Sequence, residues 1–456
     1  MDGIIDRIKL RTHLCADGLI RTLRSRFERI PEPSRQQPQI PLADALMSGF
    51  AVHSLKRPSL LDFDRHRNEG NLCRLFLIDR VPSDSQMRDI LDELDPEELR
   101  PAFTDIFRHL QRGGAIRRFQ FLKTYYLVAL DGTQYFESDK IHCPSCLVKI
   151  HQNGKVSYSH QMLGAAIVHP DLREVIPLCP EPIVKQDGTV KNDCERNAAK
   201  RMLPKLRRDH PHLEIVIIED GLASNAPHIR DLQDNRFHYI LGAKPGDHAY
   251  LFEEIERRKQ TGQAEAVSRS DPKTGRLQVC WMALDVPLNE SNLDLRVNFF
   301  DYAEIDMTSG EYIKHFSWVT DLPLDKRNVW EMARGGRARW KIENETFNTL
   351  KNQGYHYEHN FGHGNKNLSV VIALLMMLAF LVDQAQQLCC RLFRATWKKF
   401  GSKRSLWESM RGRFEVFELC SMQQLFESLL YGFARAPPPI KYPSGTRPVP
   451  AAIDSS

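Results

Sequence analysis

Tyr125-Tyr126-Leu127-Val128-Ala129-Leu130-Asp131-Gly132-Thr133 is the stretch on which the reading of the fold turns. Six apolar or aromatic residues run together and stop at Asp-Gly-Thr, so the segment reads as a buried strand that ends in a turn at Asp131. Upstream, residues 1–120 are helical in pattern. Ser83-Asp84-Ser85-Gln86 caps one helix, and Asp95-Pro96 opens another through Leu99, Phe103, Ile106 and Leu110. Downstream, Asn153-Gly154 joins extended pieces at 147–151 and 156–168, and a further extended piece at 174–178 completes an antiparallel three-strand meander. A helix at 193–210 follows, with Pro204 predicting a kink or break. Then come a strand at 214–218 delivering Asp220, a short helix at 227–232 and a strand at 238–241.

The order is βββαβαβ, which matches a ribonuclease-H-like α/β layout: a mixed five-stranded sheet with helices on both faces. The next strong helical pattern begins only near residue 326. Between them, a charged helical stretch at 251–259 precedes strand-like pieces at 277–284, 293–300 and 312–320, separated by turn chemistry at Asp271-Pro272, Asn289-Glu290 and Ser309-Gly310. A β-rich insertion is therefore expected. The helix after it should run over 326–353, with Gly354 as C-cap. The 15-residue apolar run 368–382, interrupted only by Ser369, is too short to span a membrane and reads as a core helix. The expected organisation is a helical N-terminal domain at 1–120, a core split into 121–245 and 318–390 by the insertion at 246–317, and a basic helical extension with a disordered Pro-rich tail at 391–456.

The chain has 456 residues, with 63 Lys+Arg against 58 Asp+Glu for a formal net charge of +5, and it is 42% hydrophobic and 27% charged. That composition excludes general disorder, collagen-like repeats and coiled coil, and the length implies more than one core or a large insertion. The charge is unevenly spread. Residues 386–413 hold eight Lys and Arg (among them Arg391, Arg394, Lys398 and Arg404) against Glu408 alone, and residues 1–35 hold eight against five acids. Basic ends around a near-neutral middle suit a polyanionic partner. Met1-Asp2-Gly3-Ile4 lacks the pattern of a secretory signal, so a cytoplasmic location is expected, with the ten cysteines reduced. The phosphate-binding Gly-x-x-x-x-Gly-Lys-Ser/Thr loop is absent, giving no reason to expect a nucleotide cofactor.

Three acids occupy matching places in this layout: Asp131 after the first strand, Asp220 after the fourth, and Glu343 in the late helix. In a ribonuclease-H-like sheet these positions converge. Converging carboxylates repel one another unless cations neutralise them, and hard oxygen ligands select Mg²⁺ or Mn²⁺. Two such ions, roughly 3.5–4 Å apart, support in-line displacement at a phosphodiester. Arg337-Ala338-Arg339-Trp340-Lys341-Ile342-Glu343-Asn344-Glu345-Thr346-Phe347 places Arg339 and Glu343 at i, i+4 on one helix face, with Arg337 and Lys351 beyond, cations suited to gripping phosphate. Trp340, Phe347 and Leu350 are expected to anchor the helix. Trp318, Tyr355 and Trp340 are candidates for stacking a flipped base.

With those residues in place, the segment 120–390 resembles the DDE transposases of bacterial insertion sequences, specifically the group with a β insertion and a Y-x2-R-x3-E-x6-K helix. Asp131-Gly132-Thr133, Ile217-Ile218-Glu219-Asp220-Gly221-Leu222 and Arg339-Trp340-Lys341-Ile342-Glu343 carry the resemblance, continued by Phe347, Lys351, Asn352, Gly354, Tyr355 and His359-Asn360-Phe361-Gly362-His363-Gly364. Two positions depart from the pattern: the family Tyr falls on Gly336, and the family Lys falls on Leu350, one residue before Lys351. The resemblance implies a dimeric, nucleoid-associated bacterial enzyme. It would cut double-stranded DNA at element ends and join them to target DNA, with Asp131, Asp220 and Glu343 holding two Mg²⁺ or Mn²⁺ ions. Arg337, Arg339, Lys351 and Trp340 would contact DNA, and residues 1–120 would recognise the ends. The alternatives are a structure-specific nuclease on the same fold and a catalytically inactive DNA-binding relative.

His142-Cys143-Pro144-Ser145-Cys146 is a CxxC half-site that His151 and His160 could complete as a tetrahedral zinc site. With a single pair at that spacing, free thiols are the default expectation. The acids of Lys191-Asn192-Asp193-Cys194-Glu195 read as helix capping alone.

Overall fold

The computed structural model describes residues 10–32, 39–185, 193–271 and 274–433. The Pro-rich tail from residue 437 lies outside them, as do Arg7, Lys9 and Arg35. A short β1 (Gln120–Phe121) leads into β2 (Tyr125–Ser138), followed by β3 (Leu147–Ile150), β4 (Val156–Val168), β5 (Ile176–Ile183), β6 (Ile215–Glu219) and β7 (His238–Gly242). β2 is central. It pairs antiparallel with β4 and parallel with β6, so its apolar start, Leu127, Val128 and Ala129, is wholly buried. β5 lies along the far side of β4, and β7 pairs parallel with β6.

β2 does not turn at Asp131-Gly132-Thr133. It runs on to Ser138, because β4 keeps pairing with it from Asp131 opposite Gly164 to Ser138 opposite Tyr158. Gly132 is a close-approach glycine and no turn residue: a Cβ there would stand 2.0 Å from the Glu195 Oε1 atom.

Nor does the sheet stop at five strands. The insertion contributes a helix, Ala249–Gln260, and four strands: β8 (Glu265–Asp271), β9 (Arg276–Asn289), β10 (Asn292–Asp306) and β11 (Tyr312–Thr320). β11 docks antiparallel on β7, Val319 opposite Leu241, and the pairing continues through β10 and β9 to β8. An open β7 edge would expose a row of unpaired backbone groups, and β11 satisfies them. Among the described residues the result is one mixed eleven-stranded sheet.

Two helical expectations are revised. The helix Glu195–Asp209 continues through Pro204, whose ring faces solvent where water can take the place of the missing backbone bond. The helix expected over 326–353 is divided into Val329–Arg337, a turn at Ala338-Arg339, a π-helical turn Ile342–Phe347 and a final helix Asn348–Asn352. Gly354, at φ +91°, does end it.

The helix Leu368–Cys389 is buried along its whole length. It packs against the helices Leu42–Ser54, Asp84–Asp92 and Arg100–Arg112 and against β5, so helices from before the sheet share one continuous apolar core with it. At its start, the Asp92 carboxylate accepts backbone N–H bonds from Asn365, Lys366, Asn367 and Leu368. Farther along, Asp383 pairs with the buried Lys56 at 2.6 Å and accepts from the Tyr355 hydroxyl at 2.6 Å.

Candidate active site

Asp131 sits within β2, with Gly164 of β4 directly opposite. Asp220 follows the last residue of β6, where its Oδ1 accepts the Leu222 N–H at 3.0 Å and caps a short 3₁₀ turn. Glu343 lies in the π-helical turn, which packs against β2 and β4. Phe347 of that turn rests on Gly164, where a Cβ would come within 2.7 Å of its ring, so a glycine is what lets the turn reach the sheet.

Asp131 senses the other two acids. Burial pushes the Asp131 carboxyl above the usual aspartate range; Arg339 opposes the shift, while the negative charges of Glu343 and Asp220 add to it. Arg339 Nη1 stands 3.1 Å from Asp131 Oδ2. Its partner is therefore the strand acid and not Glu343, the neighbour one helical turn away. The charge of Glu345, the other acid of the segment, acts on Lys403.

A fourth acid joins them. Glu195 begins its helix, lies over Gly132, and is raised above the ordinary glutamate range by burial first and then by Asp131, Asp220 and Glu219. Its neighbourhood corrects the reading of this segment as capping alone. Nothing local in the sequence distinguishes Glu195; only its approach to Gly132, on a strand 63 positions away, does. An open cleft of about 500 Å³ is lined by Asp131, Glu195, Glu219, Asp220 and His228. Burial opposes charge on His228, but Glu219, 2.6 Å from its Nε2, outweighs it and raises the imidazole above its usual range.

A model of the transposase DDE domain matches residues 145–381, more than half of the 456-residue chain. The chain belongs to the DDE transposases. No curated protein matches it. Among solved structures, the piggyBac transposase synaptic complex with hairpin DNA matches at 12% identity, over 92% of this chain and 80% of that one, with a TM-score of 0.37. The family match contains Asp220 and Glu343, whereas Asp131 precedes it.

The other residues singled out in this DDE transposase are placed as follows. Arg337 is exposed, its guanidinium 5.6 and 5.5 Å from the ring centres of Tyr302 and Phe316. Phe347 and Leu350 are buried, as anchors should be, but Trp340 is 49% exposed with Arg339 against its ring, so it does not anchor the helix. Trp318 and Tyr355 are buried and therefore unavailable for stacking a base; Trp318 fills the space beside Gly336, and Tyr355 is held by Asp383. Lys351 is exposed and pairs with Glu358 at 2.9 Å. His151 bonds Ser157 Oγ at 2.9 Å.

Proposed function

We propose that this chain is an active transposase that cuts double-stranded DNA at the ends of an insertion sequence and transfers the 3′-hydroxyl ends into target DNA. The observation that carries the proposal is that β2 pairs with β6 and packs against the π-helical turn, so that the charges of both Asp220 and Glu343 act on Asp131. The strand order β5-β4-β2-β6-β7 supports reading the heart of the sheet as ribonuclease-H-like, with β8 to β11 as an insertion that extends it.

The donor set fits a pair of Mg²⁺ or Mn²⁺ ions. All its ligand atoms are carboxylate oxygens, and their mutual repulsion is of the kind a divalent cation relieves. Bound there, such ions would activate a water or 3′-hydroxyl and stabilise the leaving oxygen. The chain's own residues do the positioning. Arg339 holds the Asp131 carboxylate in place, and Glu195 adds a fourth negative group on the Asp131 side. Arg337 and Lys351 offer exposed cations to the phosphate backbone, and Trp340 offers an exposed ring beside Arg339. Action as a homodimer, in a bacterial cytoplasm and at nucleoid DNA, with neither membrane nor nucleotide cofactor, belongs to the same proposal.

Asp131→Ala, Asp220→Ala and Glu343→Ala chains should each lose Mg²⁺-dependent cleavage of element-end DNA while keeping their circular dichroism and DNA retention. Cleavage that survives all three changes overturns the proposal. Cleavage without joining to a supercoiled target would identify a nuclease instead.

A further inference from the structure

A second cluster of ligating side chains lies apart from the acid-lined cleft. Cys143 and Cys146 stand in the turn between β2 and β3, and His160 stands on β4; all three are buried. The two Sγ atoms are 3.7 Å apart, and His160 Nε2 lies 3.2 Å from Cys143 Sγ and 3.3 Å from Cys146 Sγ. A sulfur separation of that size is not a disulfide. It is close to the edges of a tetrahedron around zinc, about 3.8 Å for S···S and 3.5 Å for S···N when Zn–S is about 2.3 Å and Zn–N about 2.0 Å. The Cys143 N–H also points at Cys146 Sγ, 3.3 Å away.

The fourth corner has a candidate that spacing in the sequence does not reveal. His363 belongs to the segment that follows the Glu343 helix, and its ring centre is 5.0 Å from that of His160. Its Nδ1 is 3.2 Å from Asn360 Oδ1, so Nδ1–H donates and Nε2 is left with a bare lone pair. That Nε2 is buried and has no hydrogen-bond partner. A histidine oriented by a side-chain oxygen at one nitrogen and unpartnered at the other has the arrangement found in metal-binding histidines.

We propose that Cys143, Cys146 and His160, whose ligand atoms lie within 4.8 Å of one another, bind a structural zinc ion, with the His363 ring swinging in to complete the tetrahedron. Two thiolates and two imidazoles select zinc over the hard cations suited to the carboxylate cleft, so the two sites do not compete. The ion would tie the segment leaving the Glu343 helix to β4 and to the β2–β3 turn. This site does not rest on the proposed DNA chemistry.

The test is metal analysis of the full-length chain purified without chelator. About one zinc per chain is expected, falling to background in Cys143→Ser and Cys146→Ser and unchanged in Asp131→Ala. Exchange into cobalt should give tetrahedral d–d bands and thiolate-to-cobalt charge transfer. His363→Ala should weaken retention against a chromophoric chelator by at least about tenfold. Substoichiometric zinc together with a cobalt spectrum lacking thiolate bands overturns the site. Unchanged chelator competition in His363→Ala overturns the assignment of the fourth ligand.

Discussion

Arg339 Nη1 and Asp131 Oδ2 meet at 3.1 Å across 208 residues of chain, and the pair spans the gap between the π-helical turn region and the central strand. The guanidinium counteracts a carboxyl that burial and two neighbouring acids would otherwise hold protonated to still higher pH. Arg339→Gln should therefore raise the Asp131 pKa further. Ionised Asp131 is the form that binds a cation, so the acid limb of the pH–rate profile should move to higher pH and cleavage should fall about 10- to 100-fold at neutral pH. A profile whose acid limb does not move would show that Arg339 acts on DNA alone.

Glu195 invites the opposite kind of change. Its pKa in the folded chain is raised above the ordinary 4.5 by burial and by three acids, so ionising it costs stability. Below pH 4.5 it is protonated in both folded and unfolded chains and the cost vanishes; above its raised value the cost is complete. In metal-free protein, Glu195→Gln should raise the melting temperature by roughly 1–3 °C at pH 8 and by nothing at pH 4. Saturating Mg²⁺ should narrow the difference. A thermal scan at both pH values decides it.

Gly336 packs so closely on the Trp318 indole that a Cβ there would lie 2.5 Å from it. Trp318 stacks on Phe300 and Phe316, with ring centres at 5.1 and 5.9 Å, and cannot retreat cheaply. Gly336→Ala should cost about 1–3 kcal/mol in urea unfolding. Combining it with Trp318→Leu should recover part of that loss relative to the sum of the two single changes.

Asp92 receives four backbone N–H groups at the entry to the helix Leu368–Cys389. Burial works to raise its pKa, but those donors outweigh it and hold the carboxyl below the ordinary 3.8. A depressed folded pKa contributes stability at all pH values above 3.8, lost as pH falls through the folded value. Asp92→Ala should destabilise by about 2 kcal/mol between pH 7 and pH 4, with a shrinking difference in more acidic buffer. A constant penalty down to pH 2 would mean that packing, not charge, sets it.

Short-range pattern carried the strands 147–150 and 156–168, the apolar helix from residue 368 and the acid at the end of β6, because hairpin chemistry and unbroken apolar runs are local signals. Contacts across the chain decided what was misread. Gly132 looked like a turn residue only because Glu195, 63 positions away, is invisible beside it in the sequence. The edge of β7 gave no sign that β11 would extend the sheet. The spacing over 326–353 assumed an α-helix throughout. Between Glu343 and Lys351 the backbone makes a π turn, in which the Asn348 N–H reaches the Glu343 carbonyl, and such a turn absorbs one extra residue. Leu350 turns into the core there, and Lys351 is exposed.

The helix Leu368–Cys389 has a consequence for synthesis on the ribosome. The helices Leu42–Ser54 and Arg100–Arg112 and the strand β5 all present apolar faces to it, and it is translated after every one of them. Until it emerges, the growing chain displays those faces to water. Messages cut short between the codons for residues 183 and 367 should therefore yield products that aggregate or occupy chaperones.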